Sequence, residues 1–297
     1  MNNKVFIVDS IELPTPGTHM FTIQKFSSGF RFYNYEIFVV KTLDDIEDNS
    51  IVVLSNHGIH NIHSLNYLSI KYPNCIYICW FFHEYYNIIP FKKFILTGEH
   101  FRKKPLLESH IYFWNIQQNV NNYVPLTFAS YFLPEQIDQI LDVYQNRKVN
   151  GCHIGNLYKY DWIKDLPNII YLTGIHFNDE IKEDDRINIF LSSKIAFGFH
   201  HDDNLKNNVV VERVFEGMSL GCVVVSDSLT AYEITGGIVQ YAKDKEEFIK
   251  IYNELINDDT RRLELQKKGC EWVKNNGLYI HTVKNFLDKC KELKFID

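Results

Sequence analysis

The sequence predicts an α/β protein made of two parallel-sheet domains, and three observations carry that prediction. Short apolar runs recur along all 297 residues: Lys4 to Asp9, Ile51 to Leu54, Asn74 to Phe82, Val149 to Ile154, Ile195 to Phe199 and Cys222 to Val225, each the length of a buried strand. Between them lie stretches whose apolar residues return at helical spacing, such as Asn61 to Lys71 and Lys245 to Ile256. Several runs end in glycine-containing or small polar loops, where open α/β sheets place their ligands. A chain of 297 residues fits two domains of about 150, and each half reads as a Rossmann-like βαβ arrangement.

In the first half, Lys4 to Asp9 is the opening strand, and Leu13-Pro14-Thr15-Pro16-Gly17-Thr18-His19 is the loop after it. A helical pattern with Phe21, Phe26 and Phe30 leads to strand Glu36 to Val40. Strand Ile51 to Leu54 ends in Ser55-Asn56-His57-Gly58. Helix Asn61 to Lys71 precedes the strongly apolar strand Asn74 to Phe82, which delivers His83 and Glu84 to the crevice side of the sheet. Two readings of His83 stand: a substrate-orienting histidine, or one hydrogen-bonded to a neighbouring loop carbonyl. Consecutive strand residues face opposite ways, so Glu84 does not share its site if the strand persists. Phe94 to Thr97 and Ile111 to Trp114 are further strand candidates, Tyr123 to Leu126 a last piece, and Ile137 to Tyr144 a helix. Polar Gln145-Asn146-Arg147-Lys148 is the linker candidate, giving domains 1–147 and 148–297.

The second half repeats the scheme. Strand Val149 to Ile154 runs into Gly155-Asn156, and Trp162 to Leu166 lies on the helix that follows. Strand Ile169 to Leu172 ends at Thr173-Gly174. Helix Asp184 to Ser193 leads to strand Ile195 to Phe199 and the polar loop His200-His201-Asp202-Asp203-Asn204. That loop has four readings: a metal site, a DxD-like metal–nucleotide site, for which the spacing is wrong, a loop entering a ligand crevice, or plain surface. Adjacent histidines converge poorly on one ion, so the crevice loop is preferred. After Asp227 come strand Ile238 to Tyr241 and three amphipathic helices, Lys245 to Ile256, Arg261 to Asn275 and His281 to Leu293.

The most informative stretch is Asn208 to Asp227. Val211, Val214, Phe215 and Met218 form one buried helical stripe; Glu212 and Glu216 form a polar stripe beside Arg213. Asn207 or Asn208 is the expected N-cap, and Gly221 suits the left-handed position past the helix end. Such a helix offers its N-terminus to a diphosphate, with Arg213 adding positive charge and Glu216, or Glu212 in its place, accepting from ribose hydroxyls. A solvated acidic face is the competing reading, because two carboxylates at i, i+4 repel by only about 0.2–0.5 kcal/mol.

Arg213-Val214-Phe215-Glu216-Gly217, followed by Gly221 and Ser226-Asp227, resembles the nucleotide-binding segment of GT-B glycosyltransferases, particularly the group-1 and CgeB-like families. Glu212-Arg213 is more distantly similar to the α-1,3-fucosyltransferase pattern. The resemblance implies two Rossmann-like domains facing a cleft, an N-terminal acceptor domain and a C-terminal nucleotide-sugar donor domain. The last helix, about 281–294, is then expected to pack back on the N-terminal domain. It also implies that Gly17 lies beside the cleft, that the Gly155-Asn156 loop meets phosphate, that the Gly174 region meets the base, and that His83 is the cleft histidine. His200, Asn208 and Asp227 then border the donor. Retaining group-1 enzymes carry two glutamates eight positions apart; Glu216 matches the second, and Asn208 stands at the first, which leaves retention or inversion open. The expected activity is metal-independent transfer of a hexose or deoxyhexose from a UDP- or GDP-sugar to a glycan or other hydroxyl acceptor, with no separate cofactor. A nucleotide-sugar epimerase and a degenerate sugar-nucleotide-binding module of the same fold are the alternatives.

Composition sets the remaining bounds. The net charge is 31 − 37 = −6, so the total does not point to a nucleic-acid partner. Six cysteines show no metal-ligand spacing and read as buried free thiols in a reducing compartment. No apolar run approaches the roughly 20 residues of a membrane helix, and a cytoplasmic protein, with a homodimer compatible, is the expectation.

Overall fold

The computed structural model describes residues 1–8, 25–55, 62–80, 91–97, 129–130, 132–143, 146–155, 157, 159–172, 183–206 and 208–296. Contacts divide the chain into two compact units: residues 1–100, 105–127 and 279–297, and residues 101–104 with 128–278.

The first unit is built on a parallel sheet of β1 (Lys4–Val8), β2 (Glu36–Val40), β3 (Ile51–Ser55), β4 (Ile76–Trp80) and β5 (Phe94–Thr97), in the order β2-β1-β3-β4-β5. Helix α1 (Ile62–Lys71) follows β3. Its Leu65 and Leu68 join Phe6, Val52, Leu54 and Tyr77 in one buried cluster. The Tyr77 hydroxyl, carried into that core, donates to the carbonyls of Leu68 and Tyr72 at 3.0 Å each, which offsets the cost of burying it. A short 3-10 turn, Gly29–Tyr33, meets the chain's last helix. A Cβ at Gly29 would lie 2.9 Å from the Tyr279 carbonyl oxygen, so only glycine lets the two backbones approach. Phe26 packs on Phe286, and the Tyr33 hydroxyl donates to Ile280 O at 3.0 Å. The C-terminal helix therefore belongs to the unit that opens the chain.

The second unit begins with α2 (Pro134–Val143) and holds β6 (Val149–Ile154), β7 (Ile169–Leu172), β8 (Ser193–Gly198), β9 (Val223–Ser226) and β10 (Gln240–Tyr241), all parallel, in the order β10-β9-β8-β6-β7. Its helices are α3 (Glu183–Ser192), α4 (Asp202–Lys206), α5 (Glu212–Ser219), α6 (Leu229–Ile234), α7 (Lys245–Asn257) and α8 (Asp259–Asn276); α9 (Tyr279–Glu292) is the last helix, in the first unit. Phe197, Phe199, Val223, Val225, Phe248, Tyr252 and Leu255 form the core on one side of the sheet. On the other side, α5 lies directly on the strands: a Cβ at Gly217 would fall 2.9 Å from the Ala196 Cβ and 3.1 Å from Val224.

Two local expectations change. The supposed linker residue Arg147 is buried, and its guanidinium donates to the carbonyls of Phe190, Ser193 and Leu220 at 2.8, 2.8 and 2.6 Å. It closes the carbonyl ends of α3 and α5, which no local pattern announces. Trp162 sits on a 3-10 turn, Asp161–Asp165, rather than a longer helix. Other expectations hold. Gly221 adopts φ 73, and all six cysteines are free and buried. Among the described residues no helix is long and apolar enough to cross a membrane.

Candidate functional site

In the second unit β6 comes first in sequence but lies between β7 and β8. The connections leaving its carboxyl end and that of β8 therefore diverge, and the crevice between those ends is the topological switch point where such sheets bind ligands. Gly155 and Arg213 occupy that place.

Gly155 follows β6 with φ 127, a conformation that side chains rarely adopt, and its N–H donates to Leu172 O at 2.9 Å. A Cβ there would stand 3.0 Å from Arg213 Nη2 and 3.2 Å from Cζ. The absent side chain is what lets the guanidinium lie against the backbone. Arg213 is the second residue of α5, and its Nη1 donates to the carbonyl of Phe199, just past β8, at 2.8 Å. A half-buried positive charge is thus fixed between the ends of β6 and β8, beside the positive pole of a helix.

The start of α5 differs from the sequence expectation. The helix begins at Glu212, with Val211 as an N-cap that offers no side-chain oxygen. Asn208 is not the cap: it is left-handed, φ 56, and its Oδ1 accepts from Thr230 Oγ1 at 3.0 Å. Val209 and Val210 are buried ahead of the helix, and β-branched residues hold that approach less readily as helix. A histidine takes over the capping. Val211 N–H donates to His200 Nε2 at 3.2 Å, and His200 Nδ1 lies 2.7 Å from Asp227 Oδ1. An acceptor at Nε2 places the proton on Nδ1, so this ring is the Nδ1–H tautomer. Asp227 Oδ2 also accepts from the His200 backbone N–H at 3.1 Å and from the Tyr160 hydroxyl. Burial and that hydrogen bond to Asp227 push the Tyr160 phenol pKa well up. His200 and Asp227 are thus brought together, but their polar atoms hold the strand ends and the first turn of α5.

Glu216 sits one turn beyond Arg213 and is 4% exposed. Arg186 of α3, which the sequence reading missed, reaches it with Nη1 2.5 Å from Oε1 and lies 3.8 Å from Glu183. The only local sign of Arg186 is one cation in the acidic run Glu183-Asp184-Asp185, and its partner is thirty residues away. A carboxylate this buried stays ionised only with such a partner. Glu212, half-buried, is the first residue of α5, where a negative charge suits the helix dipole. Gly17, His83, Asn156 and Gly174 lie outside the described residues. Among the described residues no cluster of three His, Cys, Asp or Glu side chains has the arrangement to hold a metal.

Comparison with known proteins gives a family and a fold. Residues 138–288 match the model of a family described as glycosyl transferase-like. No curated protein matches in sequence. Among solved structures, T4 phage β-glucosyltransferase in complex with its UDP-glucose substrate is similar over 100% of both chains, with 12% identity and a TM-score of 0.55. AviGT4, a glycosyltransferase involved in avilamycin A biosynthesis, is similar over 98% of this chain and 97% of its own, with 11% identity and a TM-score of 0.53.

Proposed function

The chain belongs to the glycosyl transferase-like family and has the GT-B fold, and we propose that it transfers a sugar from a nucleoside-diphosphate sugar to a hydroxyl acceptor. The observation that carries this reading is Arg213, laid on Gly155 at the mouth between β6 and β8. That position suits the diphosphate, which becomes the leaving group. As the bond from the sugar's anomeric carbon to the diphosphate oxygen breaks, negative charge gathers on the departing phosphate. A fixed guanidinium and the N-terminus of α5 are already oriented toward it, so little reorganisation accompanies the step.

Glu216 is on the same face, three residues on, and is the acceptor for ribose hydroxyls; Arg186 keeps it charged and aimed. We therefore read Arg213 and Glu216 as the groups touching donor, and His200 and Asp227 as positioning residues behind them. The reading needs no metal, because the arginine and helix pole supply the positive charge. A UDP-hexose is the preferred donor, supported by the structural neighbour bound to UDP-glucose, and the acceptor is a glycan or other hydroxyl compound. Within the family, Arg213 to Gly217, Gly221 and Ser226-Asp227 support a place among the CgeB-like members.

A panel of UDP-, GDP- and dTDP-sugars tests this through nucleoside-diphosphate release with and without hydroxyl acceptors. Arg213→Ala should raise the barrier by about 2–4 kcal/mol, the scale for removing one charge-stabilising donor. Unchanged turnover in that variant sinks the assignment.

A further inference from the structure

A concavity opens in the same unit, and Arg213, Glu216 and Gly155 are not among the residues that line it. It occupies about 550 Å³ at the carboxyl ends of β9 and β10, within the size range of small-ligand pockets. Three lysines from two segments line it: Lys159 after β6, and Lys243 and Lys245 where β10 leads into α7. Lys159 is neutralised by Asp202 at 2.7 Å. Lys245 lies over the Trp162 ring, 5.6 Å from its centroid. Among the described residues neither Lys243 nor Lys245 has a carboxylate partner.

The acidic groups of the wall do not supply one. Asp227 is engaged by His200 and Tyr160, and Asp244 accepts from Glu247 N–H at 2.9 Å as the cap of α7. The wall also offers an apolar surface. Tyr241 is half-buried, its ring packs on no other ring and its hydroxyl makes no hydrogen bond among the described residues, and the half-exposed Leu229 lines the same cavity. A partly apolar wall with two ammonium groups that have no carboxylate partner among the described residues matches a sugar ring that carries a negative substituent.

We infer that this cavity binds an anionic saccharide, a hexose bearing a phosphate or a carboxylate. The ring rests on Tyr241 and Leu229, and Lys243 and Lys245 hold the charged group. The inference goes beyond the donor reading and does not depend on it, because it uses none of Arg213, Glu216 or Gly155.

Calorimetric titration of the full chain with four probes tests it: glucose 6-phosphate, glucuronate, glucose and UDP. Glucose 6-phosphate or glucuronate should bind more tightly than glucose; which of them does so identifies the substituent. The double variant Lys243→Ala/Lys245→Ala should weaken that binding by about tenfold or more and leave UDP affinity unchanged. Arg213→Ala should do the reverse. Equal binding of charged and neutral sugars, no loss in the lysine variant, or a parallel loss of UDP affinity in it would each overturn the inference. The UDP arm reports separately on the donor reading, so the two can fail independently.

Discussion

Replacing Asp227 with asparagine tests the idea that the first turn of α5 is held by a histidine rather than by a cap of its own. The carboxylate accepts three hydrogen bonds: from His200 Nδ1–H at 2.7 Å, from the His200 backbone N–H at 3.1 Å, and from the Tyr160 hydroxyl. Asparagine offers one oxygen and an NH2 group in the same volume. If its oxygen keeps the imidazole, its NH2 faces both the His200 backbone N–H and Tyr160. The phenol can turn to accept, but the backbone N–H then has no partner.

The other tautomer of His200 is no escape, because a proton on Nε2 would face the Val211 N–H 3.2 Å away. One buried donor left unsatisfied costs about 1–3 kcal/mol. Taking about 2 kcal/mol, and 2–4 °C of melting temperature per kcal/mol for a domain of this size, Asp227→Asn should melt about 4–8 °C below the parent protein. Tyr160→Phe, which leaves both bonds to His200, should lose about 1 kcal/mol or less. The donor KM should rise in Asp227→Asn, since Arg213 is two residues beyond the capped Val211. Thermal unfolding followed by circular dichroism is the assay. An asparagine variant that melts within about 1 °C of the parent would refute the capping argument.

Three further outcomes follow from the same geometry. Glu216→Gln removes the nearer of two carboxylates beside the largely buried Arg186 and leaves Glu183 at 3.8 Å; the loss should reach about 3 kcal/mol at most, less what Glu183 and the 13% exposure of the Arg186 side chain offset, and the variant should discriminate UDP from its 2′-deoxy analogue less well than the parent in a binding titration. Gly155→Ala puts a Cβ 3.0 Å from the guanidinium at φ 127, so donor KM should rise severalfold, by about 1–3 kcal/mol of combined strain and displaced arginine, with a steady-state assay as the check. Burial raises the pKa values of Cys75 to about 11 and of Cys270 and Cys290 to about 12. Their folded pKa values lie above the unfolded ones, so the stability they contribute is full below about pH 8.5 and is lost as pH rises toward those values. At pH 8 the native protein should react with a thiol reagent far more slowly than the unfolded chain, and rapid labelling of these three would contradict the burial.

How much of this was written in the sequence depends on the reach of each interaction. The apolar stripe of α5 was legible because periodicity is local: Val214, Phe215 and Met218 are fully buried. The left-handed Gly221 was legible for the same reason. The start of that helix was not. An asparagine at 208 satisfies the local rule for a cap, but the histidine that caps Val211 stands eleven residues earlier and depends on an aspartate twenty-seven residues from it. Arg147 read as a linker because its neighbours are polar, while the carbonyls it closes are 43, 46 and 73 residues away.

The same limit explains the mixed outcome for the motif residues. A motif marks where the chain passes close to the crevice, not which way each side chain turns once there. Arg213 and Gly155 meet at the switch point. His200 and Asp227, equally prominent as letters, face inward and spend their polar atoms on the scaffold. The separation has a physical origin. Both ring nitrogens of His200 are filled from within the fold, which removes that imidazole from the groups able to grip a ligand. Arg213 uses Nη1 on the Phe199 carbonyl and lays Nη2 against Gly155. A guanidinium carries five donors in a rigid planar fork, so holding part of the fork sets the orientation of the whole group. The arginine, not the histidine–aspartate pair, is therefore the group we propose to meet the donor.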